Sequence, residues 1–166
     1  YQYNKSKNQL EEWKQTGLDN LYGWWQTVKC ADLNGDGKQD MVLGNIGENF
    51  YLRPDLQHPV KLWLNDFDKT GTMYHFLTRH VEGRDVPVFL KREITDQFPA
   101  LKKENLLHGE YAKKDIQGLF GKELLKTASQ RIFNYCRTVI AWNEGNGKFR
   151  TEELPYWIQL SSVNAV

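Results

Sequence analysis

Two cysteines, two methionines and five prolines in 166 residues are the scarcest features of this chain. Two cysteines make no disulfide framework, so the fold must rest on a buried core and not on covalent staples. Cys30 and Cys136 both lie in stretches expected to be strands, where each reads as a small buried hydrophobe; a Cys30–Cys136 bridge is the alternative. No apolar run approaches the roughly 18 residues a membrane-spanning helix needs. An excess of one charge is also missing. Lys and Arg number 22 against 21 Asp and Glu, a net charge of +1. The basic residues are dispersed, which argues against nucleic acid as a partner. The chain begins at Tyr1 with neither a Met nor a signal peptide, as expected of a mature or trimmed fragment. What is present, 40% hydrophobic residues with 13% aromatic, suffices for one ordinary domain or a few repeats of something larger.

Catalytic patterns are missing too. His58, His75, His80 and His108 show no metal-ligand spacing, and His75 and His80 would sit on opposite faces of one strand. Ser161-Ser162 lacks the Gly-x-Ser-x-Gly elbow of a nucleophilic serine. No Gly-rich loop leads into a helix to hold phosphate. The expectation is a chain that is not an enzyme.

One stretch stands out from this background. Asp32-Leu33-Asn34-Gly35-Asp36-Gly37-Lys38-Gln39-Asp40 places oxygen-bearing side chains at alternate positions and closes on a further carboxylate. Calcium needs six to eight oxygen ligands, and a curling loop turns every second side chain inward. Asp32, Asn34, Asp36 and Asp40 are therefore the candidate calcium ligands, with Lys38 contributing its backbone carbonyl. Gly35 and Gly37 permit the tight wrap. Three carboxylates this close repel one another unless a cation intervenes. A polar Asx/Gly turn between two strands is the alternative. An EF-hand would need flanking helices and a Glu at the twelfth position, which here is Leu43. The flanks instead read as strands: Trp24 to Cys30 is aromatic and β-branched, with Trp24, Val28 and Cys30 on one face, and Met41-Val42-Leu43 is a short apolar run ended by Gly44.

The pattern recurs 34 residues later. Val60 to Asn65 reads as a strand, followed by Asp66, Asp68, Thr70 and Thr72 at the same alternate positions. These are a weaker second candidate site, because Tyr74 stands where the ninth-position acid should be. Thr138 to Phe149 gives a hairpin signal around Gly145-Asn146-Gly147, and Trp157 to Val166 resembles Trp24 to Ala31. Residues 74–81 and 86–90 read as a second hairpin around Glu82-Gly83-Arg84-Asp85. From Lys91 to about Ser129 the helical period takes over. Ile94, Phe98 and Leu101 share one face, and Pro99 breaks the run or opens a second helix. Asp115 can cap a short helix carrying Ile116, Leu119 and Phe120. Gly121 separates it from a segment with Leu124 and Leu125 inward. A second helical candidate lies within residues 5–15.

These residues together resemble a known family. The loop with Met41-Val42-Leu43-Gly44-Asn45 after it looks like the FG-GAP/VCBS repeat, the unit of the integrin α-subunit β-propeller. From about Gly23 to Val166 the chain is similar to bacterial FG-GAP/VCBS proteins. The tokens are Gly23-Trp24-Trp25, Gly44-Asn45-Ile46-Gly47, His58-Pro59-Val60, Asn65-Asp66-Phe67-Asp68, Asn143 to Phe149 and Leu154-Pro155. Such proteins are typically secreted or surface-anchored, and this helical insert recurs in them. The resemblance implies a mainly β fold and a partial β-propeller, with a helical insertion at about 91–129. Residues 1–22 would be a lead-in, 23–90 blades carrying the calcium loop 32–40, and 130–166 further blade strands. It also implies calcium as the bound ion and an extracellular, cell-surface or periplasmic location.

The functional expectation is a non-catalytic, calcium-binding module for adhesion or for binding an extracellular protein or glycan. The alternative is a scaffold portion of a secreted enzyme whose catalytic part lies outside this chain. Since a full propeller carries four to eight blades, the exposed blade surfaces of a fragment invite self-association. Trp24, Trp25, Trp63 or Tyr156 could stack on sugar rings, although burial in blade cores is the commoner fate of such aromatics.

Overall fold

A computed structural model describes residues 1–104 and 107–166. In chain order the strands are β1 (Gln2–Asn4), β2 (Gln9–Glu11), β3 (Thr27–Ala31), β4 (Asp40–Gly44), β5 (Val60–Asn65), β6 (Tyr74–Val81), β7 (Arg84–Pro87), β8 (Ser129–Phe133), β9 (Val139–Gly145) and β10 (Lys148–Glu153). Five short helices lie between β7 and β8: α1 (Lys91–Gln97), α2 (Pro99–Glu104), α3 (His108–Tyr111), α4 (Ile116–Phe120) and α5 (Lys122–Thr127). The fold is mainly β, and all strand pairs within its sheets are antiparallel. Among the described residues no sheet closes on itself.

The chain divides into two compact units, one of Tyr1–Arg53 with Tyr135–Val166 and one of Pro54–Asn134. In sequence, the second unit is inserted between β4 and β9 of the first.

The first unit is built on a four-stranded sheet in the order β10-β9-β4-β3. Val139 and Ala141 on β9 are fully buried, and β9 pairs with both β4 and β10. The β9–β10 hairpin turns through Asn146 and Gly147, both at positive φ (52° and 73°), as the twist of a two-residue hairpin requires. β3 lies at the sheet edge, which corrects the expectation for its apolar face. Val28 is 57% exposed and Cys30 is exposed, whereas Cys136 is buried but outside any strand. Both thiols are free. The helix expected within 5–15 is likewise replaced by the β1–β2 hairpin. Its turn forms because the Asn4 side chain accepts from the backbone N–H groups of Ser6 and Lys7, and Asn8 takes a left-handed φ of 52°. The final strand-like stretch from Trp157 begins inside a 3-10 turn, Tyr156–Leu160.

A buried polar cluster fastens that turn. Gln159, 2% exposed, accepts from the Thr138 N–H at 2.8 Å and donates through Nε2 to the carbonyls of Thr138 and Leu154, both at 2.9 Å. The Thr138 hydroxyl in turn accepts from the Asn45 N–H at 3.0 Å. Gln159→Leu keeps the volume but strands these backbone groups, so it should cost about 1–3 kcal/mol, the penalty of an unsatisfied buried group. Chemical denaturation of the variant and the wild type is the check, and equal midpoints would show that the cluster contributes nothing.

The second unit has a sheet in the order β7-β6-β5-β8, one face of which is covered by the helices. Trp63 of β5 opposes Phe76 of β6, and both are buried with Phe67, Ile94, Phe98, Leu101, Ile116, Leu119 and Leu125. Here the helical period is read correctly: Ile94, Phe98 and Leu101 face inward, and Pro99 opens α2. Asp115 caps α4 by accepting from the Gly118 N–H at 2.7 Å, and Gly121 at φ 78° separates α4 from α5. Leu125 is buried and Leu124 only partly so. Residues 105 and 106 of the expected insertion lie outside the described residues.

Candidate metal centre

The loop joining β3 to β4 carries the candidate ligands, and its shape comes from its own side chains. Asp32 accepts from three backbone N–H groups: Gly35 at 2.7 Å and Asp36 at 3.1 Å on one oxygen, Gly37 at 2.9 Å on the other. Asn34 accepts from the Asp36 N–H at 2.9 Å, and Asp36 from the Lys38 N–H at 2.8 Å. Gly35 and Gly37 have φ of 78° and 82°, with no heavy atom near the missing Cβ, so conformation and not space demands glycine there. The alternating oxygens legible in the sequence thus begin as acceptors that curl the backbone.

Asp40 ends the loop differently. It is fully buried, with Oδ2 accepting from the Leu33 N–H at 3.1 Å and Oδ1 from the Asn143 N–H at 2.8 Å. The Asn143 amide adds a bond to the Gln39 carbonyl at 3.0 Å. Asn143 lies on β9, so a strand 103 residues away holds the loop shut. Sequence spacing carries no sign of that clamp.

The second loop, between β5 and β6, repeats the scheme. Asp66 accepts from the N–H groups of Thr70 and Gly71 at 3.0 and 2.8 Å, matching Asp32 with Asp36 and Gly37. Asp68 accepts from the Thr70 N–H at 3.2 Å, as Asn34 does from Asp36. The departure comes at the ninth position. Tyr74 donates its hydroxyl to Asp68 Oδ2 at 3.1 Å, and the Thr70 hydroxyl donates to Asp68 Oδ1 at 2.7 Å. Protein donors therefore occupy both Asp68 oxygens and, with the Thr70 hydroxyl first, hold its carboxyl below the usual range. Thr72 is exposed, with no hydrogen bond among the described residues.

In the first loop a side-chain donor also meets a carboxylate, here the charged Lys38, whose Nζ lies 2.9 Å from Asp36 Oδ2. That contact, with the Lys38 backbone N–H next, lowers the Asp36 carboxyl below its ordinary range. Among the described residues no three His, Cys, Asp or Glu side chains are gathered as placed into a group able to hold a metal ion. The donor chemistry nevertheless fits calcium. Each oxygen of Asp36 and Asp40, Oδ2 of Asp32 and Oδ1 of Asn34 has one hydrogen-bond donor within the chain, which leaves a lone pair, and all are hard oxygens. Lys38 would have to leave Asp36 for a cation to enter.

Folding also brings together groups that sequence spacing kept apart. The His58 and His80 rings stand 5.3 Å apart, with Asp55 3.0 Å from His58 Nδ1 and Asp85 3.6 Å from His80 Nδ1. Lys61 pairs with the other Asp85 oxygen at 2.7 Å. His75 is exposed on the opposite face of β6, and His108 begins α3. Burial, with Glu48 next, pushes the Cys136 thiol up, away from nucleophilic or metal-binding use at neutral pH. Of the candidate stacking aromatics, Trp63 is buried with its indole N–H on the Thr78 hydroxyl, Trp24 is half-buried, and Trp25 and Tyr156 are exposed. Comparisons with protein-family models, with curated proteins and with solved structures found no match.

Proposed function

We propose that this chain is a non-catalytic, calcium-stabilised binding module of the FG-GAP/VCBS type. It would act outside the cell in adhesion or in recognition of a protein or glycan. The observation that carries this reading is the shared hydrogen-bond scheme of the two loops, each joining two adjacent antiparallel strands. Two copies of one loop design on two strand pairs point to an internal repeat. Only the first copy keeps an acid, Asp40, at the ninth position, so it is the calcium site. Asp32, Asn34, Asp36, Asp40 and the Lys38 carbonyl would hold the ion, with water completing the shell. An exposed loop of this kind suits the weak affinities of extracellular calcium modules, about 10⁻⁴–10⁻³ M.

Thermal melts with calcium and with chelator test the reading. Binding to the folded state alone should add about 2.7 kcal/mol when calcium is a hundredfold above Kd. Asp36→Ala should erase most of that gain and Asp36→Asn less of it, while replacing both Asp66 and Asp68 should leave the response intact. Magnesium should substitute poorly, because it demands a tighter octahedron. Identical midpoints with and without calcium would reduce the loop to a turn. The second reading, a scaffold portion of a secreted enzyme, would be favoured by a catalytic domain in the same open reading frame.

A further inference from the structure

Within the first unit, the segment from Trp13 to Asp19 lies against the start of β10 and forms an open cleft of about 820 Å³ with it. Its lining includes the apolar side chains of Trp13, Met41 and Phe149 and the polar ones of Gln2, Asp19 and Asn146. That volume falls within the about 300–1,000 Å³ of small-ligand sites. The walls are held by close backbone approaches. A Cβ on Gly147 would meet the Trp13 indole at 2.8 Å, and one on Gly17 would meet the Phe149 carbonyl at 2.1 Å. The Phe149 N–H donates to the Thr16 carbonyl at 2.7 Å, and Asp19 Oδ2 accepts from the N–H groups of Thr16 and Gly17 at 2.7 and 3.2 Å. Asp19 therefore maintains the wall. By contrast, the Trp13 indole N–H and the side-chain amides of Gln2 and Asn146 have no partner among the described residues.

The geometry points to a saccharide subsite here, an inference that rests on the binding-module reading and names its ligand class. A pyranose ring has an apolar C–H face and a girdle of hydroxyls that each donate and accept. The aromatic rings of the lining can serve the first, and its amides with the indole N–H the second.

The test is binding of neutral hexasaccharides (cello-, xylo-, malto- and manno-series) to the full chain, followed by calorimetric titration. At least one should bind wild type, and Trp13→Ala should weaken it at least tenfold. Asn146→Gly keeps the left-handed turn at φ 52° and removes only the amide, so it should weaken binding several-fold even if Trp13→Ala fails to fold. Trp157→Ala, at a 79% exposed ring away from the cleft lining, should change nothing. No binding by any of the four series at millimolar concentration, or unchanged affinity in both cleft variants, overturns the subsite. So does anilinonaphthalene sulfonate binding at Trp13 without saccharide binding. A normal calcium response alongside that failure would leave the calcium reading standing, whereas a lost calcium response with intact saccharide binding would overturn only the calcium site.

Discussion

Asp40→Ala should be the most damaging single change in the first unit. The carboxylate is fully buried and satisfies the Leu33 and Asn143 N–H groups, one from the loop and one from β9. Truncation strands both donors at about 1–3 kcal/mol each, so roughly 2–6 kcal/mol should be lost in chelator. In calcium the deficit against wild type should grow by about 2.7 kcal/mol at a hundredfold excess over Kd, because the variant gains nothing from the ion. Paired melts separate the two roles. A deficit of the same size in both buffers would make Asp40 a clamp and no ligand. No deficit in chelator would deny the clamp.

Phe76→Ala should unfold the second unit at much lower denaturant. Phe76 is fully buried at the centre of an aromatic cluster, with ring centroids 5.0 Å from Phe67, 4.8 Å from Phe120 and 5.2 Å from Phe98. Removing a buried phenyl ring costs about 3–5 kcal/mol, the sum of lost transfer energy and the cavity left behind. Surroundings drawn from a loop, from α4 and from the junction of α1 with α2 cannot all collapse inward, which places the effect toward the upper end. Phe76→Leu, which fills most of the space, should cost far less. Chemical denaturation followed by near-ultraviolet circular dichroism reads this cluster directly. A loss below about 1 kcal/mol for the alanine variant would contradict packing of this density.

The curl of the 32–40 loop was legible because the hydrogen bonds that make it span no more than seven residues. Asp32 reaches Gly37, Asn34 reaches Asp36, and Asp40 reaches back to Leu33. The helical insertion was legible for a similar reason: its apolar period and its cap at Asp115 act within one or two turns. At 5–15 the same reasoning failed, because the side chain of Asn4 and the left-handed Asn8 make a hairpin turn there.

By itself, then, the sequence determined the curl of the two Asp-rich loops, the strands beside them, the cap at Asp115 and the inward helical faces. All of these depend on neighbours a few residues away. Tertiary structure alone decided that β9 closes the first loop, that Tyr74 fills the second, and that β3 leaves Val28 and Cys30 open at an edge. It also decided that His58 meets His80, and that the Trp13 segment forms a cleft with β10. The β9 clamp, the open edge and the cleft depend on which distant strand or segment lies alongside. That choice is made by burial of Val139, Ala141 and their neighbours, a cooperative property of strands separated by the whole inserted unit.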